Sequence, residues 1–234
     1  MAGLILSSFQ GLAADRAEQV LFDGKTLEGW RAPHGTWSVA GAIAASISTP
    51  RDLTATAGEG VLLNSATNRT TNLISQGEYG DVAAHVEFCI PRGSNSGVYF
   101  MGRYEVQIFD SWGVKDLQYT DCGGIYARWD KVEKRKVEGH APLVNASKPA
   151  GEWQSYDVVF RAPRFDAQGK KTENAKFVKV THNGVVVHEN VEVTGPTNGA
   201  AFADEAATGP LMLQGDHGPV AFRNVRITPA EPAK

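Results

Sequence analysis

Apolar and polar residues alternate in short runs along most of the chain, and Gly, Pro, Asn or Asp breaks the runs every ~8–15 residues. TWSVAGAIAAS, DVAAHVEFCIP, SGVYFMG, RYEVQIF, GGIYARW, WQSYDVVFRAP, AKFVKVTHNGVVVHENVEV, GPLMLQ and VAFRNVRITP are such runs. A period of two places one side-chain set on each face of a strand, so one face is buried and the other is wet or lines a cleft. β-branched and aromatic residues are enriched in these runs, as strands favour. Asn183-Gly184 between two of them predicts a tight hairpin. Nothing predicts a helix longer than a couple of turns. The pattern predicts an all-β, antiparallel two-sheet sandwich. Jelly-roll connections are compatible with it but do not follow from it.

The strand period also sorts the chemistry. In DVAAHVEFCI, Val82, Ala84, Val86 and Phe88 face one way, and His85 and Glu87 the other. In RYEVQIF, Tyr104, Val106 and Ile108 face a core, whereas Arg103, Glu105 and Gln107 share the opposite face. If both runs and SGVYFMG are neighbouring strands, one sheet face carries His85, Glu87, Tyr99, Arg103, Glu105 and Gln107. That stripe reads either as the wet face of a sandwich or as a cleft. Arg, Glu and Gln beside Tyr, Trp and Asn are types that bind sugar hydroxyls and stack on sugar rings, which favours a carbohydrate cleft.

The chain has 234 residues, 42% of them hydrophobic, which suits one large β domain. Residues 19–230 are assigned to that domain. Residues 1–18 read as a signal-peptide remnant or a short arm, with Leu12-Ala13-Ala14 as the small-residue end of an export signal that lacks a basic start. A periplasmic or secreted location is the expectation. The net charge of -3 argues against a nucleic-acid partner, which needs concentrated Lys and Arg. The densest basic run, KVEKRKVEGH, is interleaved with Glu133 and Glu138 and reads as a solvated loop or edge strand. No apolar run reaches the ~20 residues of a membrane helix. Cys89 and Cys122 read as buried thiols or a single disulfide; neither belongs to a zinc motif. Oligomeric state is left unassigned.

Several blocks together resemble a known family. LFDGKTLEGW, SNSGVYFMGRYEVQIFDSWG, GGIYAR, GEWQSYDVVFRAP and GPLMLQGDHGPVAFRNVRI occur in the order found in the 3-keto-disaccharide hydrolase domain family. The resemblance covers about residues 19 to 229. It implies a concanavalin-like jelly roll, often exported, that cleaves glycosides already oxidised at C3 of the sugar. It would place Arg103, Glu105 and Gln107 along the substrate cleft. The run Leu213-Gln214-Gly215-Asp216-His217-Gly218 departs from the family by one extra glycine.

A ketone at C3 acidifies the C2 proton. A base removes it, the enolate expels the group on C1, and water adds back. The site needs a base, a holder for the enolate oxygen and an acid for the leaving group. Glu105 is the candidate base or acid, and pairing with Arg103 would lower its pKa and favour a base. An ordinary surface ion pair is the alternative reading. His217, oriented by Asp216, is a second base, a metal ligand, or only a residue tolerated in a turn. Gln107 is the candidate hydroxyl reader. Asp110 binds substrate, serves as a second carboxylate or forms an Asx-turn. Asn95, Trp112, Tyr126 and Arg128 are further substrate contacts, although Trp112 and Tyr126 serve packing equally well. Gln107 stands where a two-carboxylate glycosidase would need its second acid, which weakens that mechanism. His85 and Glu87 with Glu105 or His217 would hold a divalent metal, but the sequence requires no cofactor. His182 and His188 read as surface residues flanking the hairpin. The reading is therefore an enzyme acting on a small-molecule sugar. A non-catalytic carbohydrate-binding, lectin-like module is the alternative, and an envelope interaction domain a weaker third.

Overall fold

The computed structural model describes residues 17–46, 48–65 and 69–230; most of the expected export segment lies outside them. No helix occurs among the described residues, and every strand pairing is antiparallel. The larger sheet runs, in spatial order, Val185–Val193, Ala175–His182, Gln154–Arg161, Val82–Cys89, Ala221–Pro229, Val61–Leu63 and Ser38–Ala40, with Gln19–Val20 on the flank of Ala221–Pro229. The smaller sheet runs Leu73–Ile74, Met212–Leu213, Asn95–Phe100 and Tyr104–Phe109. Single bridges from Val106 to Ile125 and from Ile125 to His140 widen it beyond its last strand.

Three two-stranded hairpins complete the strands among the described residues, and the main apolar core draws on both the larger and the smaller sheet. Val82, Ala84, Val86, Phe88, Tyr156, Val158 and Phe160 enter it from the larger sheet, and Val98, Phe100, Tyr104, Val106 and Ile108 from the smaller. The alternation in Val82–Cys89 and Gln154–Arg161 matches the strand period residue by residue. Phe100, Tyr104, Phe160 and Phe177 pack with ring centroids 5.2–5.7 Å apart, which ties the layers together. Each such buried side chain contributes about 1.5–3 kcal/mol of transfer free energy. Asp81 closes one end: its carboxylate accepts the Ala162 N–H at 2.9 Å and the Arg164 guanidinium at 2.6 and 2.8 Å. The Asn183-Gly184 turn forms as expected, with φ of 51° and 82°.

Two sequence expectations fail. Val82–Cys89 does not neighbour Asn95–Phe100. Instead of reversing in a hairpin, the chain turns through Pro91–Ser94 and crosses to the other sheet, so Val82–Cys89 pairs with Gln154–Arg161 and Ala221–Pro229. His85 and Glu87 therefore lie on the outer face of the larger sheet. There His85 Nδ1 meets Asp157 at 2.6 Å, and Glu87 accepts from Arg223 and Asn224, each at 2.6 Å. They do not join Glu105, and the metal set proposed from them is not assembled. Among the described residues no group of three or more His, Cys, Asp or Glu is arranged to hold a metal.

His182 and His188 are not surface residues: they are 0% and 2% exposed. Val178 is bulged out of register, since Val159 pairs with Lys179 and the next residue, Phe160, with Phe177. The extra residue inverts the alternation and turns Val180 and His182 inward. Cys89 and Cys122 are free, buried thiols.

Candidate functional site

Asn95–Phe100 and Tyr104–Phe109 form a hairpin in which Tyr99 opposes Glu105 and Gly97 opposes Gln107. Core residues occupy one face. The other carries Gly97, Tyr99, Glu105 and Gln107, and Gln214 continues it beside Gly97, whose carbonyl accepts the Gln214 N–H at 2.9 Å. Tyr126 borders it on the far side, donating its N–H to the Glu105 carbonyl at 3.2 Å. This is no wet face. Tyr99, Glu105 and Gln107 are all at most 2% exposed and Gln214 is 6%.

Glu105 is the centre of the arrangement. Burial pushes its carboxyl up to about 8; the Asp216 charge adds to the rise, and the Tyr99 hydroxyl and the Lys136 ammonium oppose it. Tyr99 is itself driven well above its usual range by burial and by Glu105. The Gln214 amide donates to the Tyr99 oxygen at 3.2 Å, so the tyrosine proton goes to Glu105. Gln214 Oε1 is left buried with no partner among the described residues. An orphan acceptor of this kind costs about 1–3 kcal/mol until something donates to it.

Asp216 and His217 sit on the neighbouring loop, with Nδ1 and Oδ1 2.6 Å apart and both side chains about half exposed. Buried Asn64 holds this loop. Its amide donates to the carbonyls of Gly215 and Gly218 at 3.2 and 2.7 Å, and its oxygen accepts the Val220 N–H at 2.7 Å. The extra glycine is Gly215, where a Cβ would come within 2.3 Å of the Thr71 carbonyl.

Glu105, Gln107 and Tyr126 thus share one region, with Asp216 of the His217 loop close enough to act on Glu105. The predicted Arg103–Glu105 pair is not formed. Arg103 belongs to the turn rather than the strand, and its guanidinium donates to the Asp204 carbonyl (2.5 Å), Met101 carbonyl (2.9 Å) and Asp204 carboxylate (3.2 Å) while stacking on Phe202. It anchors a loop, so no guanidinium offsets the burial of Glu105. Asp110 makes no Asx-turn with Ser111 and Trp112; its carboxylate accepts the Gly93 N–H at 2.8 Å. Arg128 is bound by Glu138 at 2.9 and 3.0 Å and by Asp130 at 3.2 Å. Asn95 is half-buried at the strand start, and Trp112 is 61% exposed on the following turn. Lys136, Gln214 and Asn64 escaped the sequence reading. Lys136 was hidden in a charged run, and the other two carry no periodic signal.

Gly97 makes room for the acid. A Cβ there would stand 2.2 Å from Glu105 Oε1 and 3.0 Å from its Cδ. Gly97→Ala is expected to leave the melting temperature within about 3 °C, because only the end of a flexible side chain must move, yet to lower activity at least ~10-fold by misplacing the carboxyl. Thermal melts beside initial rates check this. Equal activity would mean that the carboxyl position is not used.

Three solved structures from Parabacteroides distasonis ATCC 8503, all described as candidate glycosyl hydrolases, resemble the chain. The first is 27% identical with a TM-score of 0.63, covering 90% of this chain and 82% of that one. The others are 19% and 22% identical, with TM-scores of 0.58 and 0.57, covering 90% and 91% of this chain and 93% and 98% of theirs; they bear on the fold alone. No curated protein matches. The 3-keto-alpha-glucoside-1,2-lyase-like domain model matches residues 17–228, and the chain belongs to that family.

Proposed function

We propose that this protein cleaves 3-keto-glycosides, including 3-keto-disaccharides, by C2 proton abstraction, elimination of the C1 substituent and hydration. The observation that carries the reading is Glu105: a buried carboxyl pushed up to about 8, in a polar layer opposite the core. At neutral pH it is mostly protonated, as a general acid must be. Glu105 gives its proton to the departing C1 oxygen. His217, with its Nδ1–H directed at Asp216, presents Nε2 as the base for the C2 proton. The orphan acceptor of Gln214 takes a sugar hydroxyl, which fixes the ring above Glu105. This assignment reverses the ionised Glu105 expected from an Arg103 pair.

Family membership supports a glycoside-cleaving enzyme with a small carbohydrate substrate. The 3-keto requirement is the finer step. It explains why one raised carboxyl and one histidine suffice where a direct glycosidase needs two carboxyls at set separation. In the same reading the sandwich is a concanavalin-type jelly roll and the protein is exported to the periplasm or beyond.

The test is a product assay. Purified protein is incubated in D2O with 3-keto-trehalose, 3-keto-sucrose, 3-keto-lactose and their unoxidised parents, with and without divalent metal. The expected result is 3-keto-glucose with deuterium at C2, from the oxidised substrates only. Cleavage without deuterium would replace elimination by direct hydrolysis. Binding of unoxidised sugars with no turnover in any arm would make the domain a carbohydrate-binding module.

A further inference from the structure

Lys136 lies in a hairpin of Arg128–Asp130 with Arg135–Val137, inside the run KVEKRKVEGH. Its neighbour Arg135 points outward and is 66% exposed, paired with Glu133. Lys136 turns the other way. Its Nζ donates to the Tyr126 hydroxyl at 2.7 Å and stands 4.6 Å from the centre of the same ring. An ammonium only donates, so the Tyr126 oxygen accepts from Lys136 and its own proton is free. Among the described residues that proton has no acceptor.

Tyr126 is aimed and fixed. Ile125 bridges Val106, so the next residue, Tyr126, takes the same sheet face as Glu105. The Tyr119 ring meets Tyr126 edge-on at 5.3 Å. Gly139 leaves space for Tyr119, since a Cβ there would lie 2.3 Å from the ring. Lys136 and Glu105 are close enough for each to alter the other's titration. A fixed, cation-backed hydroxyl beside a proton-transfer carboxyl is what a developing oxyanion requires.

We propose that Tyr126, polarised and held by Lys136, donates the hydrogen bond that stabilises the enolate oxygen on C3 of the substrate. This rests on the elimination reading above. As His217 Nε2 takes the C2 proton, the C–H electron pair forms the C2–C3 double bond and the carbonyl pair moves onto oxygen, where Tyr126 meets it. When the C3 carbonyl re-forms, a C1–C2 double bond forms, the C1–O bond breaks, and the leaving oxygen receives the Glu105 proton. Water then adds hydroxyl to C1 and hydrogen to C2, giving net hydrolysis. Tyr126 touches the substrate; Lys136 is a positioning residue that acts through it.

The test separates enolisation from bond cleavage. The probe is 3-keto-1,5-anhydroglucitol, which has no leaving group on C1, and the readout is C2–H exchange with D2O. Wild type is expected to exchange. Lys136→Met and Tyr126→Phe should each slow exchange about 10²-fold with KM changed less than ~3-fold, and Lys136→Arg, which keeps a cationic donor, should recover to within ~10-fold of wild type. Melting temperatures within about 3 °C of wild type accompany that result. Wild-type exchange in Lys136→Met would overturn the role. So would loss in Lys136→Arg equal to that in Lys136→Met with both melting early, since Lys136 would then only brace the hairpin. Exchange in wild type with an unaffected Lys136→Met removes this role alone; no exchange in wild type removes the elimination reading with it.

Discussion

Glu105→Gln should lower cleavage of 3-keto-disaccharides about 10³-fold, within the range set by a positioned general acid. The loss should shrink to ~10-fold or less for a 3-keto-glucoside with a nitrophenyl leaving group, which departs without a proton. The same variant should be more stable than wild type at alkaline pH. The folded carboxyl titrates at about 8, above its ordinary value of 4.5. Below about 4.5 both folded and unfolded chains carry the proton, and burial of the neutral acid has no ionic penalty. Between 4.5 and 8 the unfolded chain releases the proton while the folded chain keeps it, so stability falls as pH rises. Above 8 the folded protein carries a buried charge. Gln keeps the shape and the acceptor for Tyr99 but has no such slope. Its melting temperature should match wild type near pH 4.5 and exceed it by about 5 °C at pH 9. A difference that stays flat from pH 5 to 9 would refute the buried neutral carboxyl. Activity that survives on disaccharides would remove Glu105 as the acid. Loss of activity with gain of stability is the signature of a group held in an unfavourable state for function.

How far this site was legible follows from where its residues lie. Glu105 and Gln107 fell out of strand period because Tyr104–Phe109 is regular. Extending that period back one residue gave Arg103 the wrong place. The hairpin turns on Met101 and Gly102, with φ of 57° and 63°, and a non-glycine residue at positive φ leaves no pattern in sequence. His85 and Glu87 obeyed the period as well, but period places residues on a face, not a strand in a sheet. The crossing at Pro91–Ser94 separated them from Glu105. One bulge at Val178 was enough to bring His182 inward. Lys136 shows the opposite failure: charge density predicted solvation, while the Tyr126 hydroxyl, 10 residues earlier in the chain, captured one lysine out of the run. Asn64 stabilises the Asp216–His217 loop purely through backbone groups more than 150 residues distant, and such contacts exist only after folding.

The two misjudged histidines carry the second large prediction. His182 and His188 are both held down to about 4, chiefly by burial, with Lys148 adding for the first and His140 for the second. His182 is wedged 4.9 Å from the Tyr156 ring and 6.0 Å from Phe88, with Nε2 2.9 Å from the Gln154 amide oxygen. His188 Nε2 lies 2.8 Å from the Gly123 carbonyl. In the unfolded chain both titrate near 6.5. Between 6.5 and 4 the unfolded state therefore binds protons that the folded state refuses, and stability is lost as pH falls through that window. Full protonation would cost roughly 3 kcal/mol per histidine. Glu138, held at about 2 by Arg128, contributes its loss only below about 4.5, so the two acid limbs are separable. The wild-type melting temperature should fall by about 5–10 °C from pH 6.5 to 4, the loss at the two histidines outweighing the opposite slope of Glu105 above 4.5. His182→Gln with His188→Gln should start about 5 °C lower at pH 7 but lose less than half as much over the same range, measured by melts at half-unit steps. Equal slopes would assign the upper limb to carboxylates instead. The consequence reaches the site, because Gly123 and Gly124 exchange backbone hydrogen bonds with Gln107 at 2.9 and 2.8 Å. Protonating His188 places a charge in a buried pocket against the segment that supports Gln107 and lies next to Tyr126, a cost that the hydrogen bond to the Gly123 carbonyl offsets only in part. Activity of the folded enzyme should therefore hold through the first melting limb and decline only near pH 4, where folded His188 takes its proton, before Glu138 titrates.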